Sequence, residues 1–237
     1  MRNLDLEKTK KTLVTGIKEY IGDNNVIIGI SGGIDSALAA ALCVKALGRD
    51  KVLGIMLPYG DQSDIEDSIS LVEALGFSCK KINIKPHVDA FDLGGDDWIK
   101  GNIMARVRMA VLYSYANLIN GRVIGTTNKS EMAIGYFTKH GDGACDLEPI
   151  ADLYKTEVWR MSELFNIPKR IIYKMPSAGL CAGQTDEGDF GFTYPILEAY
   201  LQGEEINNPM AAIKIQKMIG NSEHKRNMPP IIKVAIK

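Results

Sequence analysis

The sequence has few cysteines, no long apolar run and almost no net charge, and each of these shortfalls removes a class of protein. Its four cysteines, Cys43, Cys79, Cys145 and Cys181, are scattered, and no two form a CxxC pair. That spacing suits neither a zinc site nor a disulfide framework, and it fits a reducing cytosol. No uninterrupted apolar stretch approaches the roughly 20 residues that cross a bilayer. The N-terminal MRNLDLEKTKKTL is charged and lacks the apolar core of a signal peptide, so a cytoplasmic protein is expected. A formal charge of -1 gives no global field to recruit nucleic acid or an anionic membrane, although basic residues gather from Lys214 to Lys237. Two nucleotide motifs are missing as well. There is no GK[ST] to place a Walker lysine on the β- and γ-phosphates, and no GxGxxG dinucleotide fingerprint.

What is present is ordinary for a soluble globular protein: 237 residues, 46% hydrophobic and 24% charged. That length suffices for a sizeable buried core, and no repeat or linker divides it, so residues 1–237 read as one domain. Leu4 to Ile21 has the spacing of an amphipathic helix. Val26 to Ile30 (VIIGI) is the kind of short β-branched run buried in a parallel sheet, and Ala37 to Leu47 is a helix ending at Gly48. The alternation continues with strands at Lys51–Leu57, Cys79–Ile84 and Arg122–Thr126. Between them lie helices at Ser63–Leu75 and from Asp96 or Asp97 to about Ile119. Such alternation predicts an α/β fold, a doubly wound parallel sheet with helices on both faces. A fifth strand is expected at a position the pattern does not define. Beyond Thr127 the regularity fades, with helices predicted at Lys155–Phe165, Tyr194–Leu201 and after Asn208-Pro209.

The run SGGIDS, Ser31 to Ser36, stands between the first strand and its helix. Two glycines let main-chain N–H groups approach a ligand closely, and the helix N-terminus adds free N–H groups and a positive dipole end. With the hydroxyls of Ser31 and Ser36 this is a cradle for phosphate. Asp35 would repel bare phosphate unless a cation lies between, which makes it a candidate Mg²⁺ ligand. Taken alone, Asp35 also fits a helix cap in a tight turn.

GISGGIDSA resembles the PP-loop of the N-type ATP pyrophosphatases, which cleave ATP between the α- and β-phosphates. Three further stretches resemble the NAD synthetases of that group: GNIMARVRM (101–109), the run from Gly125 to Trp159, and PSAGLCAGQTDEGDFGFTY (176–194). So does HKR (224–226). The resemblance covers nearly the whole chain and implies an adenine nucleotide alpha hydrolase-like fold. It implies ATP-dependent amidation of deamido-NAD (nicotinate adenine dinucleotide) through an adenylated carboxylate, with AMP and pyrophosphate released. It also implies an ATP site at Gly29, Ile30, Ser31, Gly32, Gly33, Ile34, Asp35 and Ser36, joined by Thr126, Lys155 and Ser177. Asp35 and Glu131 would share Mg²⁺, and Lys155 would add positive charge at the phosphates. Such chemistry needs cations and aligned donors rather than a protein nucleophile, because charge accumulates in the transition state.

For the dinucleotide, the resemblance implies Arg106, Lys139, Asp146, His224 and Lys225. Arg106 and Arg108 point in different directions on a helix, and the family pattern favours Arg106. Asp142, in HGDG, reads equally as an ammonium-holding carboxylate and as a plain Asp-Gly turn residue. The PP-loop begins at residue 31 of 237, which leaves no room for a glutaminase domain, so ammonia is the expected donor. A homodimer whose interface helps complete the dinucleotide site is implied too. The competing readings are a PP-loop enzyme that amidates or thiolates another substrate, and a nucleotide-binding regulator without catalysis.

Overall fold

The structure is a computed structural model that describes residues 2–61, 65–92, 95–177 and 185–234. Cys181, the predicted helix start at Ser63 and much of the stretch after Ser177 lie outside the described residues.

Helix α1 (Leu6–Ile21) leads into β1 (Asn25–Gly29), α2 (Ile34–Leu47), β2 (Val52–Met56), α3 (Ile65–Leu75), β3 (Ser78–Lys81), α4 (Lys85–Asp89), α5 (Asp97–Leu118) and β4 (Gly121–Ile124). The remaining helices are α6 (Lys129–Ile134), α7 (Lys155–Ser162), α8 (Lys169–Ile172), α9 (Asp186–Phe190), α10 (Tyr194–Leu201), α11 (Pro209–Asn221) and α12 (Glu223–Arg226). All strand pairs are parallel, in the order β3-β2-β1-β4. The chain therefore builds outward from β1 in one direction, then returns to lay β4 on its other side. That reversal creates a switch point between β1 and β4, where the loops leaving the strands part and open a crevice.

Strand burial explains the composition of the sheet. Val26, Ile27 and Ile28 are all fully buried, and successive side chains point to opposite faces. Val26 and Ile28 join the core beneath α1, α2 and α7, whereas Ile27 packs with Ile55, Val123 and the α5 residues Met104 and Ala116. A strand covered on both faces must be apolar at every position. Helix α2 is nearly all apolar for a related reason. Its residues 37–43 are buried between the sheet and α1, and full burial of Leu38 or Leu42 contributes about 1.5–3 kcal/mol each. A third cluster, built on Ile134, Phe190, Tyr194, Leu197 and Ile215, binds α6, α9, α10 and α11 into a layer beside the crevice.

Boundaries follow the predictions to within a few residues, with two differences. The third strand ends at Lys81, because Ile82 and Ile84 bond to Met56 and Pro58 beyond the ladder. The fifth strand is reduced, among the described residues, to a single parallel bridge between Ile124 and Leu147. Beside that bridge, the Asp146 carboxylate accepts the Val123 N–H at 2.7 Å, and the Val123 carbonyl accepts the Asp146 N–H at 2.8 Å. A side chain thus takes a bond that a longer strand would supply. At the opposite edge, β3 presents Lys80 and Lys81.

Candidate active site

The loop after β1 turns through Gly32 at φ 78°, a left-handed conformation that strains other residues. Gly33 then caps α2 without a side-chain acceptor, so the first N–H groups of that helix stay free. Ser31 and Ser36 brace the turn. Their hydroxyl oxygens lie 3.0 Å apart, the Ser36 hydroxyl donates to the Gly33 carbonyl at 3.0 Å, and the Gly33 N–H donates to Ser31 Oγ at 3.2 Å. Ser36 is buried while Ser31 faces outward, so the deeper hydroxyl shapes the cradle and the shallower one is placed to meet a ligand.

Three elements bring the charged groups together. Asp35 stands in the first turn of α2, Glu131 in the first turn of α6, and Lys155 opens α7. Lys155 Nζ lies 2.6 Å from Asp35 Oδ2 and 3.2 Å from Glu131 Oε1, with its side chain 2% exposed. Burial works to strip the lysine of its proton, but the charges of Asp35, Glu131 and Asp186 outweigh it and hold its pKa above the ordinary value. For Glu131, burial is the largest effect and pushes its carboxyl up to about 8, with Lys155 opposing and Asp35 and Asp186 adding.

Sequence reasoning missed three participants in this cluster. Asn128 and Glu131 form a capping box, and Asn128 Nδ2 also donates to Asp35 Oδ1 at 2.9 Å, tying the two loops at the switch point together. The N-x-x-E spacing was a readable signal for that cap. The Tyr194 hydroxyl donates to Asp186 Oδ2 at 2.7 Å and lies 3.2 Å from Glu131 Oε1. With one hydroxyl proton between two carboxyls, a proton on Glu131 completes the second contact. Asp186 is 3% exposed, and its Oδ1 has no hydrogen-bond partner among the described residues. Burial raises its pKa, against the pull of Lys155 and the Tyr194 bond. Glu198 stands behind the cluster, accepting from the Ser130 hydroxyl at 2.9 Å and the Thr156 N–H at 3.2 Å.

A cavity of about 450 Å³ opens over this cluster. Of the residues expected at ATP, it is lined by Gly29, Ile30, Ser31, Gly33, Ile34, Asp35 and Ser36, and by Thr126, Lys155 and Ser177. Gly32 is buried in the turn behind them. Asp142 reaches the same cavity, and its Oδ1 also accepts the Thr138 N–H at 2.9 Å, so it serves the turn and faces the ligand space together. Its carboxyl is open on the cavity side but enclosed by protein at longer range, and that desolvation raises its pKa.

The residues expected at the dinucleotide divide. Lys225 lines the cavity, donating to the carbonyls of Gly135 and Phe137 at 2.7 and 2.6 Å. Arg106, Lys139 and His224 do not line it. They form a chain on the outer surface, where Arg106 reaches the Lys139 carbonyl at 3.4 Å and Lys139 Nζ reaches the His224 carbonyl at 2.6 Å. Lys139 and His224 border a shallow groove with Asn227 and Pro229. Asp146 is engaged at the β4 edge. The arginine of α5 that does enter the cavity is Arg108.

Can the donors present hold Mg²⁺? Among the described residues no three His, Cys, Asp or Glu side chains converge on one metal position. Mg²⁺ is commonly held by one or two carboxylates plus substrate phosphates, and Asp35 and Glu131 offer two hard oxygen donors beside a phosphate cradle. Three carboxyls share one lysine there, an excess of negative charge that a cation would balance. The site fits the ion.

Comparison with known proteins agrees with this geometry. Residues 6–229 match the family model described as NAD synthase. An NH(3)-dependent NAD(+) synthetase of Pyrococcus furiosus is 47% identical, with 97% of this chain and 95% of that protein aligned. Among solved structures, NMN synthetase from Francisella tularensis aligns with a TM-score of 0.92 at 36% identity, covering 98% of this chain and 100% of that one. The NH3-dependent NAD synthetase of Campylobacter jejuni aligns at 0.83 and 31% identity, covering 97% and 100%.

Proposed function

We infer that this chain, which belongs to the NAD synthase family, is an ammonia-dependent ligase that converts deamido-NAD to NAD at the expense of ATP. The observation that carries this is the family match from residue 6 to 229, over a cavity where the SGGIDS cradle faces Glu131 and Lys155.

In the first step the nicotinate carboxylate attacks the α-phosphorus of ATP. A carboxyl O–P bond forms, the bridge to the β-phosphorus breaks, and pyrophosphate leaves with the electron pair. The free N–H groups of α2 and the outward Ser31 hydroxyl hold the departing pyrophosphate. Lys155 holds Asp35 and Glu131 in register and supplies positive charge at the phosphates, in an enclosed site where such charge acts strongly. Asp35 and Glu131 would hold Mg²⁺, and the ion would supply charge neutralisation at the phosphates. In the second step ammonia attacks the acyl carbon, the C–N bond forms, and AMP leaves with the carboxyl-derived oxygen. Asp142 receives the incoming ammonium, and burial, by raising its pKa, makes its carboxylate a stronger proton acceptor.

Arg106, Lys139, Asp146 and His224 lie outside the cavity of one chain, and a homodimer that places a second copy over them would complete the dinucleotide site. A cytoplasmic location suits an enzyme that draws on ATP and small-molecule substrates; among the described residues no helix is long and apolar enough to cross a membrane. A second acceptor has its own support, because the Francisella tularensis neighbour is an NMN synthetase, so the mononucleotide acid competes with the dinucleotide acid as substrate.

The test is a product assay with ATP, Mg²⁺, ammonium and either acid. Formation of NAD, AMP and pyrophosphate in equal amounts is expected from deamido-NAD. Turnover of the mononucleotide acid alone would reassign the acceptor, and turnover of neither would overturn the reading. Sedimentation at micromolar concentration checks the dimer, and a fully active monomer would refute it.

A further inference from the structure

Helix α5 presents one stripe to the cavity: Trp98, Asn102, Ala105, Arg108, Met109 and Leu112. Steps of three and four keep these residues on one face, and Arg106 is turned away from it. Arg108 therefore reaches the ligand space from the sheet face opposite α2, over the end of β2. There its Nε–H donates to the Leu57 carbonyl at 3.1 Å.

The other cavity cations are already committed. Lys155 is held by Asp35 and Glu131, Lys174 by Asp67 at 2.9 Å, and Lys225 by two main-chain carbonyls. Arg108 has no carboxylate within ion-pair distance among the described residues, and the Leu57 contact is its one protein hydrogen bond there. A guanidinium carries five donors, so the Leu57 contact leaves both terminal amino groups without a protein partner among the described residues. Burial lowers its pKa, with the charge of Asp142 opposing. A half-buried cation without a counter-charge is costly until an anion arrives.

We propose that Arg108 is the subsite for the nicotinate carboxylate, holding the oxygens of the acid that is adenylated and then amidated. This rests on the functional reading above. The phosphates of ATP have their own cradle after β1. Asp142 would repel a polyphosphate far more than the single charge of a carboxylate, and it would accept ammonium, which must meet the acyl carbon. The carboxyl therefore belongs near Asp142, where the charge of Arg108 is also felt. A guanidinium fork matches a carboxylate in two parallel hydrogen bonds, which fixes the plane of the acid for attack on phosphorus.

The experiment measures equilibrium binding of deamido-NAD, of NAD and of ATP to the wild type, Arg108→Gln and Arg108→Lys. NAD carries a carboxamide in place of the carboxylate and is the control for the rest of the dinucleotide. In Arg108→Gln, deamido-NAD binding should weaken by about 10- to 100-fold, the usual loss for hydrogen bonds to a charged group. NAD and ATP binding should be unchanged, and Arg108→Lys, which keeps the charge without the fork, should recover part of the loss. Equal weakening of deamido-NAD and NAD would mean a structural role and overturn the subsite. Weakening of ATP alone would give Arg108 to the α-phosphate and overturn it as well. A wild type that neither binds nor turns over deamido-NAD overturns the functional reading instead.

Discussion

Glu148 offers a quantitative test of the electrostatics around the switch point. Its carboxyl lies against the backbone of Gly125, where an added Cβ would stand 2.3 Å from Glu148 Cδ. Oε2 accepts the Thr127 N–H at 3.1 Å, and Oε1 is buried with no hydrogen-bond partner among the described residues. Burial dominates and pushes the carboxyl up to about 7 from 4.5, against the bonds from Cys145 and Thr127. A tenfold change in proton affinity is worth ~1.4 kcal/mol, so ionising Glu148 in the folded state costs about 3 kcal/mol. The folded pKa is raised, so the folded protein binds the proton more tightly. Its contribution is fully present below pH 4.5 and is lost as pH rises through about 7. Glu148→Gln removes the titration while keeping the shape and an acceptor for Thr127. Urea unfolding followed by tryptophan fluorescence at pH 5 and pH 8 then isolates this one group. The variant should gain about 2–3 kcal/mol relative to the wild type between the two pH values. If the two proteins follow parallel stability curves over that range, the burial argument for Glu148 is wrong.

Three further outcomes follow from the charged cluster. Lys155→Met leaves its carboxyls without their shared cation, which should destabilise the fold by about 3–5 kcal/mol and reduce kcat/KM by about 10³-fold or more; a variant of wild-type stability in urea would contradict the buried pairing. Asp35→Asn should abolish turnover while the circular dichroism spectrum stays near wild type, with a denaturant midpoint lowered by loss of the Lys155 pair, and retained activity would remove Asp35 from the metal role. Because burial pushes Glu131 up to about 8, Mg²⁺ binding at pH 7 should release close to one proton, and Mg²⁺ affinity should rise with pH until about 8 and then level off. Calorimetry in two buffers of different ionisation enthalpy counts that proton, and a count of zero at pH 7 would mean Glu131 is already ionised.

Much of the fold was legible because β-branched runs, helix formers and terminal glycines alternate with little ambiguity up to Thr126. The meeting of Asp35 and Glu131 was legible for a topological reason, since a loop after β4 must lie beside the loop after β1 if the two strands are neighbours, as they are. Other features depended on phase and distance that no local pattern carries. Helix α5 spreads polar and apolar residues around its circumference, so no pattern marks its cavity face, and the family resemblance points to Arg106 rather than Arg108. Asp186 comes from a short acidic helix far along the chain, and only the third hydrophobic cluster brings it against Lys155. The fifth strand escaped because a carboxylate, not a run of β-branched residues, finishes that edge.

That finished edge bears on how copies of the molecule avoid sticking together. An open strand invites another chain to add by main-chain pairing, the route to sheet extension and fibres. Here one margin of the sheet is occupied by Leu147 and the Asp146 carboxylate, and the other carries Lys80 and Lys81, whose like charges oppose a second copy. Self-association is left to side chains on helices, where shape and sequence set the partner and the stoichiometry. Replacing Asp146 with a β-branched apolar residue would reopen a margin, and slow, concentration-dependent aggregation is the failure such a variant would display.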